Sequence, residues 1–534
     1  MRGFAHHGEG PRRQRRRGWT GIAVGCLVVG SAIGLGLVQA RGGPAPYEPS
    51  TSYPLSAVDE SALPDDTVLL TELTKAIELR KREDFDRMLD AREPGELVEH
   101  ATLTEVDFEH RTFDIDTLFI VGDELFGYLF RPENGWGAGG VDRTAIDYTP
   151  RPRRVQQGLA GGPDAFGCFS CHSKGGPDGA GMQTQNAFLL GDGEHIGSGE
   201  QRNAPQVLGL GPIAALAREM SAELQAEAAD AADRAIAEGR RVQQPLTSKG
   251  VSFGRLTAEP TGRLEYGEVE GIDPDLTVRP FGWKGHKATL REIVEESLHI
   301  HQGLLSLRIQ EAVRDGTLDA GPYGHGRQWF DLDDDGVTLE IDSGMLTTVV
   351  GYLAQLEAPV IRPPHDPSLL DAFAAGWTTF DTIGCAACHV PTLELIDSKL
   401  EIRPEGAGKA FVVDVARDGD GPKIEPKFAS PTTPFLVHLY SDLKRHDMGE
   451  ALAGRTAQAG IPPRVFLTRP LWGLADTAPY LHDGRAPTVH EAIMLHGGEA
   501  AAARDAYLAL NESDRAGVRV FLTSLSRQPK LFVP

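Results

Sequence analysis

The chain is short of positive charge and of cysteine. It has 534 residues, with 53 Lys and Arg against 76 Asp and Glu, so the formal net charge is −23. A nucleic-acid partner is therefore not expected, because nucleic acids bind basic surfaces. Four of the five cysteines belong to two Cys-x-x-Cys-His motifs, and the fifth, Cys26, lies in an apolar run. No pair of cysteines remains for a structural disulfide.

Signatures of other enzyme classes are also missing. The scattered Gly-x-Gly runs lack the strand–turn–helix pattern of a dinucleotide or phosphate site. No Ser/His/Asp arrangement stands out either.

The N-terminus combines a basic cluster with a long apolar run. Arg12, Arg13 and the three arginines at 15–17 precede residues 19–38, which are almost all apolar or small. This order is typical of an export signal. Val38-Gln39-Ala40 offers a cleavage site, yet about 20 apolar residues are also enough to span a bilayer. Residues 1–40 are therefore expected to be a signal peptide or an N-terminal membrane anchor.

The two cysteine motifs are Cys168-Phe169-Ser170-Cys171-His172 and Cys385-Ala386-Ala387-Cys388-His389. This spacing is typical of covalent haem, because two thiols bond the vinyl groups and the next residue, His, ligates the iron. A thioredoxin-like pair does not require the His, and a zinc site requires a fourth ligand at each place. The sequence predicts two covalently bound haem c groups.

Each motif lies in its own half of the chain, which predicts a mainly α protein with two cytochrome-c-like haem domains packed together, long loops and few strands. We expect a linker and N-terminal helix at 41–95, an N-terminal haem domain at 96–345 and a C-terminal haem domain at 346–534. Residues 395–435, rich in Gly, Pro and Lys, are expected to be a loop. Helices are expected at 66–92, 213–240 (facing solvent), 289–310, 366–380, 488–496 and 512–526.

Each iron has a sixth position that is either closed by a side chain or open to a substrate. A closed position is typical of an electron carrier and an open one of a catalyst. The candidate ligands are His195, His299, His301, His446, Met448, His482, Met494 and His496.

Four further motifs form a recognisable set. Residues 469–474 read Arg-Pro-Leu-Trp-Gly-Leu, and residues 477–484 read Thr-Ala-Pro-Tyr-Leu-His-Asp-Gly. His-Asp-Met-Gly occurs at 446–449, and Phe-Gly-Trp-Lys at 281–284. Together they resemble the bacterial di-haem cytochrome c peroxidase superfamily, and most closely its di-haem oxidoreductase family. The resemblance runs from about residue 150 to the C-terminus. It implies peroxide reduction at the N-terminal haem and electron entry at the C-terminal haem.

The resemblance also implies roles around the first haem. His195 lies eight residues before the Asn of the Arg-Asn-Ala-Pro motif at 202–205, where the family has a distal ligand that can leave the iron. Trp283 matches a tryptophan between the haems that could relay electrons or simply pack. The family's distal acid falls near His301, with His299 on a neighbouring face. A His there could act in acid–base catalysis, or could bind the iron and block peroxide.

At the second haem, the family usually has a Met ligand fourteen residues after the His of the His-Asp-Gly motif. Counted from His482, that position is His496, and Met494 is two residues away. Ligation by two histidines gives a lower potential than ligation by His and Met. We therefore expect His496 to ligate the second iron.

Calcium is considered at two places. The resemblance implies an ion between the domains, with Asn203, Thr477 and Pro479 as the matching ligands. A calcium-loop spacing is also present, with an acidic surface turn as the alternative. Its aspartates are Asp331, Asp333, Asp335 and Asp342.

The expected function is an exported di-haem oxidoreductase that reduces hydrogen peroxide with electrons from a small periplasmic donor, a cytochrome c or a cupredoxin. The alternatives are an electron-transfer protein with both irons six-coordinate, and a di-haem oxidase or oxygenase of a larger substrate. The expected location is the periplasm, the exterior, or the outer face of the inner membrane. A homodimer is left open.

Overall fold

Two helix crossings organise the fold, and each one flanks a cysteine motif. The computed structural model describes residues 103–111, 113–131, 134–137, 164–191, 196–318, 331–332, 337–338, 340–405, 408–428 and 434–527. The expected helix at 66–92 and the apolar run at 19–38 lie outside these residues. Among the helices that are described, none has the length and hydropathy needed to cross a bilayer.

Ten α-helices lie in the described residues. They are α1 (Glu105–His110), α2 (Ile115–Gly127), α3 (Leu210–Glu238), α4 (Leu290–Ser297), α5 (Leu307–Arg314), α6 (Ser343–Ala354), α7 (Pro367–Thr382), α8 (Val489–Met494), α9 (Ala501–Ala509) and α10 (Glu512–Leu522).

The described strands pair in small antiparallel sheets. They are β1 (Ala187–Leu189), β2 (Glu200–Arg202), β3 (Val242–Ser248), β4 (Val251–Ala258), β5 (Leu264–Val269), β6 (Val360–Ile361), β7 (Leu393–Leu395), β8 (Lys399–Ile402), β9 (Phe411–Asp414), β10 (Glu425–Pro426), β11 (Phe435–Val437), β12 (Arg445–Asp447), β13 (Val465–Leu467) and β14 (Leu525–Ser526).

The prediction of a mainly α fold with few strands is wrong. The described residues are 39% helix and 17% strand, so the chain is a mixed α and β protein. The largest departure follows α3, where β3, β4 and β5 form a three-stranded sheet. Its first hairpin turns at Lys249 and Gly250, both of which have positive φ. The expected loop at 395–435 likewise contains β8 and β9, which pair with each other. In β3 and β4 the two-residue alternation is interrupted at Pro245 and Gly254, and the strand pairing shifts register beside each of them.

Helix α3 forms where a helix was expected, but it is not only a solvent-facing element. Leu216, Met220 and Leu224 on one of its faces are fully buried. The same face packs on β3 and β4. Helix α7 also begins as expected, at Asp366, whose carboxylate accepts a hydrogen bond from the Ser368 amide at 3.0 Å. A continuous helix was expected at 289–310, but α4 ends at Ser297. A π-helical turn follows at Leu298–Gln302 and stops at Gly303, where φ is positive.

The two crossings use glycine to bring helices together. Near the first motif α2 crosses α6, with Gly122 against the Tyr352 side chain. In the second half α7 crosses α10, with Gly376 against the backbone of Gly517. A Cβ at either Gly122 or Gly376 would collide with the facing helix. Each helix pair therefore closes against the core that carries its own cysteine motif.

The second crossing should be sensitive to a single methyl group. Replacing Gly376→Ala should lower the free energy of unfolding by about 1–3 kcal/mol, because the new Cβ overpacks the contact with Gly517. Urea unfolding followed by far-UV circular dichroism measures this change. Gly127→Ala is the matched control, since nothing lies within 4 Å of its added Cβ. Equal urea midpoints for the two variants would contradict this account of the crossing.

Candidate haem sites

The first cysteine motif forms a tight turn that presents His172. Residues Cys168–Ser170 are a single 3₁₀ turn, and the His172 amide donates to the Cys168 carbonyl at 3.0 Å. The His172 Nδ1–H donates to the Gly179 carbonyl at 3.2 Å, because a carbonyl can only accept. Burial lowers the pKa of His172 to about 4, so the ring is neutral. Nε2 is therefore left with a lone pair for a metal, the usual arrangement of a ligating histidine.

The second motif repeats this geometry. Cys385–Ala387 form a 3₁₀ turn, and the His389 amide donates to the Cys385 carbonyl at 3.0 Å. The His389 Nδ1–H donates to the Tyr440 carbonyl at 3.1 Å. Burial, with a smaller contribution from the neighbouring His496, lowers the pKa of His389 to about 4. Both motif histidines are thus prepared in the same way to bind iron.

The four motif cysteines are free thiols. Burial raises the pKa of Cys168 and Cys171 to about 12 and that of Cys385 to about 11. Such thiols are protonated at neutral pH and do not suit a thiolate metal site. They remain available to add to haem vinyl groups.

A zinc site at the second motif is disfavoured by His446. Cys388, Asp442 and His446 bring potential ligand atoms within 4.8 Å of one another. However, the two ring nitrogens of His446 already bond Asp442 at 2.8 Å and Glu499 at 2.7 Å. Burial lowers the pKa of His446, but the hydrogen bonds to Asp442 and Cys388 outweigh it and raise the pKa to about 11. An imidazolium with both N–H groups donated has no lone pair for a metal.

His496 lies where a sixth ligand of the second iron would lie. The ring centres of His389 and His496 are 6.4 Å apart, across a cavity of about 510 Å³ that both residues line. Two imidazoles bound through nitrogen to opposite sides of one metal, each at about 2 Å, have ring centres roughly 6 Å apart. The His496 Nδ1–H donates to the Ala492 carbonyl at 2.8 Å, so its Nε2 also remains available. Met494 is 47% exposed and lies outside the cavity wall, whereas Met448 lines it.

A second cavity, of about 180 Å³, lies at the first motif and is lined by Cys168, Cys171, His172 and His301. His301 belongs to the π-helical turn at Leu298–Gln302, an element that often occurs at functional sites. His299, on the same turn, is buried but does not line the cavity. The predicted distal ligand His195 lies outside the described residues.

Two histidine–carboxylate pairs lie in the wall of this smaller cavity. His301 Nδ1 and Asp164 Oδ1 are 3.0 Å apart, and His286 Nε2 and Glu296 Oε2 are 2.7 Å apart. His301, His286 and Glu296 all line the cavity. The resemblance puts the family's distal acid near His301, yet Glu296 on α4 also lines this cavity.

The two pairs differ in electrostatics. Burial lowers the pKa of His301, but the charge and hydrogen bond of Asp164 outweigh burial and raise the pKa above its usual value, with Glu296 adding to the effect. Burial raises the pKa of Glu296, but the hydrogen bond from His286 and the charges of His286 and Lys287 lower it overall. The cavity wall therefore holds one residue, His301, whose pKa is raised and another, Glu296, whose pKa is lowered. Paired groups with pKa values shifted apart are typical of acid–base sites.

Trp283 lies in the wall that separates the two cavities. Its ring lines both cavities, and its Nε1–H donates to the Asn203 carbonyl at 2.7 Å. The guanidinium of Arg469 lies 5.4 Å from the centre of the Trp283 ring, and Arg469 also lines both cavities. The indole therefore has the position that a relay between the two sites requires.

The residues predicted to bind calcium fall in two places. Asn203, Thr477 and Pro479 all line the larger cavity. The Asp342 carboxylate instead caps α6, where it accepts from the Gly344 amide at 2.6 Å and from the Glu105 amide at 2.9 Å. Asp333 and Asp335 lie outside the described residues, and Asp331 lies within them.

Three site residues were missed by sequence reasoning: Asp164, His286 and Glu296. Asp164 lies 137 positions from its partner His301, and no local pattern marks a contact of that range. Glu296 could have been noticed as an acidic residue on the helix that follows Trp283.

No curated protein matches this chain. Among solved structures, hydrazine synthase of Kuenenia stuttgartiensis matches at 14% identity and a TM-score of 0.33, over 81% of this chain and 96% of its own. A MauG-like protein associated with microbial copper homeostasis matches at 16% identity and a TM-score of 0.26, over 60% of this chain and 89% of its own. Scores this low support no argument about function.

The sequence match to a family is more informative. Residues 333–525 match the family model described as "Di-haem oxidoreductase, putative peroxidase". This range contains the second cysteine motif, His496 and the motifs at 446–449, 469–474 and 477–484. The resemblance to the di-haem oxidoreductase family, which those motifs predicted, is therefore confirmed over residues 333–525.

Proposed function

We propose that this di-haem oxidoreductase reduces hydrogen peroxide at the first motif, with electrons that enter at the second. The observation that carries the proposal is the pair of histidine–carboxylate contacts in the wall of the smaller cavity. An apolar substrate would not need two such contacts, whereas cleavage of an O–O bond requires proton transfer at both oxygens. Haem bound at His172 would supply a peroxide-binding metal, and haem bound at His389 a store for one electron.

The proposed proton transfers follow from the two pKa shifts. The reaction consumes one hydrogen peroxide, two electrons and two protons, and releases two waters. The Glu296–His286 pair accepts the proton of the oxygen that stays in the cavity. The His301 imidazolium, held by Asp164, donates a proton to the oxygen that departs as water. Opposite proton affinities at one cavity allow both steps near neutral pH.

The proposed electron path crosses the wall at Trp283, which lines both cavities. Electrons would enter at the second motif, where Gly384 and Ala387 are exposed and line the larger cavity. Small exposed residues there let a donor approach closely. Asp381 and Glu499 are exposed near the same opening, and the net charge is −23, which favours a basic donor such as a small cytochrome c or cupredoxin.

The proposed location is outside the cytoplasm, in the periplasm or on the outer face of the inner membrane. The basic cluster and apolar run of residues 1–40 support export. Covalent haem attachment at the two motifs would be consistent with it.

Loss of the proposed acid or base should slow peroxide turnover. His301→Ala and Glu296→Gln should each lower kcat by about 10²-fold or more, because general acid–base catalysis contributes about 10²–10⁴-fold. Steady-state turnover of the haem-loaded protein measures this loss. His365→Ala, at an exposed residue outside both cavities, is the control. Full activity in both cavity variants would rule out this assignment.

The Asp164–His301 contact should set the alkaline limit of activity. The charge of Asp164 raises the pKa of His301, so the imidazolium persists to higher pH. Asp164→Asn should remove that effect and move the alkaline fall in kcat to lower pH, because His301 then loses its proton earlier. The pH dependence of kcat measures the shift. An alkaline limb at the same pH in both proteins would show that another group controls it.

The midpoint potential of the haem at the second motif should depend on the residue at position 496. Replacing His496→Met should raise the midpoint potential of one haem, within the ~0.8 V range that axial ligands span. An optical redox titration measures the potential, and EPR identifies the ligand pair. Met494→Ala should leave the potential unchanged, because Met494 lies outside the cavity wall. No shift in the His496 variant would place the sixth ligand elsewhere.

The same titration tests the proposal against its main alternative. An electron-transfer protein with two closed irons would show no spectral response to cyanide or peroxide at any potential. The proposed peroxidase should open one iron to exogenous ligands after partial reduction, and that iron should be the one bound by His172. Peroxide turnover no faster than that of free haem in every redox state would refute the proposed function.

A further inference from the structure

The residues that line both cavities form a shared dividing wall, made of residues 203–206, 210, 283 and 469. The neutral side chains of this wall already donate N–H groups to acceptors of the protein. The Asn203 Nδ2 donates to Asn186 Oδ1 at 2.8 Å, and the Trp283 Nε1 donates to the Asn203 carbonyl at 2.7 Å. The Gln206 Nε2 donates to the Trp472 carbonyl. Each of these three neutral side chains therefore donates to an acceptor of the protein itself.

Arg469 is the charged side chain of the dividing wall, and its donors are not committed. Within the described part of the chain, its guanidinium makes neither a hydrogen bond nor an ion pair, and its only recorded contact is with the face of the Trp283 ring. Arg202, which lines the smaller cavity alone, is different: it lies 3.7 Å from the Glu200 carboxylate. Arg469 thus offers up to five N–H donors toward the space between the two cavities.

Arg469 stays protonated at neutral pH although its side chain is largely buried. Burial lowers the pKa of Arg469 to about 10, which is still well above neutral pH. A largely buried cation without a counter-ion is unfavourable, and a guanidinium matches a carboxylate particularly well. Each haem carries two propionate carboxylates, so two haems seated in these cavities would supply the missing anion.

We propose that Arg469 binds a haem propionate carboxylate at the dividing wall and thereby raises the reduction potential of that haem. The proposal rests on haem being bound at the two motifs, but not on peroxide turnover. A nearby positive charge stabilises the reduced haem, which carries one more electron than the oxidised form. Arg469 would thus position the haem propionate and raise the reduction potential, and it lies beside the Trp283 indole that lines both cavities.

The test compares midpoint potentials in the haem-loaded protein. A pyridine haemochrome assay first counts haems per chain, so that a failure of haem attachment is recognised separately. Optical redox titration of Arg469→Gln should then show a lower midpoint potential for at least one haem. Arg469→Lys should keep most of the potential, because the charge remains. Arg464→Gln is the matched control, since Arg464 is 51% exposed, pairs with Asp447 and lies in neither cavity wall.

Two results would overturn the proposal. One is a midpoint potential in Arg469→Gln that equals those of the wild type and Arg464→Gln. The other is a wild-type potential that changes with added acetate at constant ionic strength while that of Arg469→Gln does not, because the anion would then be free rather than part of the haem.

A second measurement tests the proposal even if Arg469→Gln fails to fold. Resonance Raman bands of the haem propionates should shift in Arg469→Lys, since lysine cannot reproduce a bidentate contact. Unchanged propionate bands in that variant would also contradict the proposal.

Discussion

The hydrogen bond from each motif histidine to a backbone carbonyl is the interaction on which both sites depend. His172 and His389 each donate Nδ1–H to a carbonyl, of Gly179 and Tyr440 respectively. This bond fixes the tautomer and turns Nε2 toward the cavity. Without this bond, the buried neutral imidazole could adopt either tautomer. The ring nitrogen that binds a metal would then not be fixed relative to the two cysteines of its motif.

The surrounding fold serves to hold these carbonyls and the facing side chains. Gly122 and Gly376 let helices cross closely near each motif, and the two crossings fix the cores from which the motifs project. The dividing wall then brings Trp283 and Arg469 to both cavities at once. The distance between the two sites is thereby set by packed side chains rather than by a flexible linker.

The sequence predicted best what is local. The cysteine motifs and the N-cap at Asp366 follow from spacings of a few residues. His496 was predicted from the family resemblance, and its ring centre lies 6.4 Å from that of His389. The shortest strands were missed because two or three residues give no periodicity, and β3 and β4 were missed because Pro245 and Gly254 interrupt their alternation. The partners of the cavity histidines were missed for another reason. Asp164 meets His301 only after the chain has folded, so the raised pKa of His301 is a property of the tertiary structure.

The bond between the Trp283 indole and the Asn203 carbonyl has one more consequence. A carbonyl is too weak a base to take the indole proton, so this ring could lose and regain an electron only as a protonated radical cation. Transfer through it would then not wait for a proton to move.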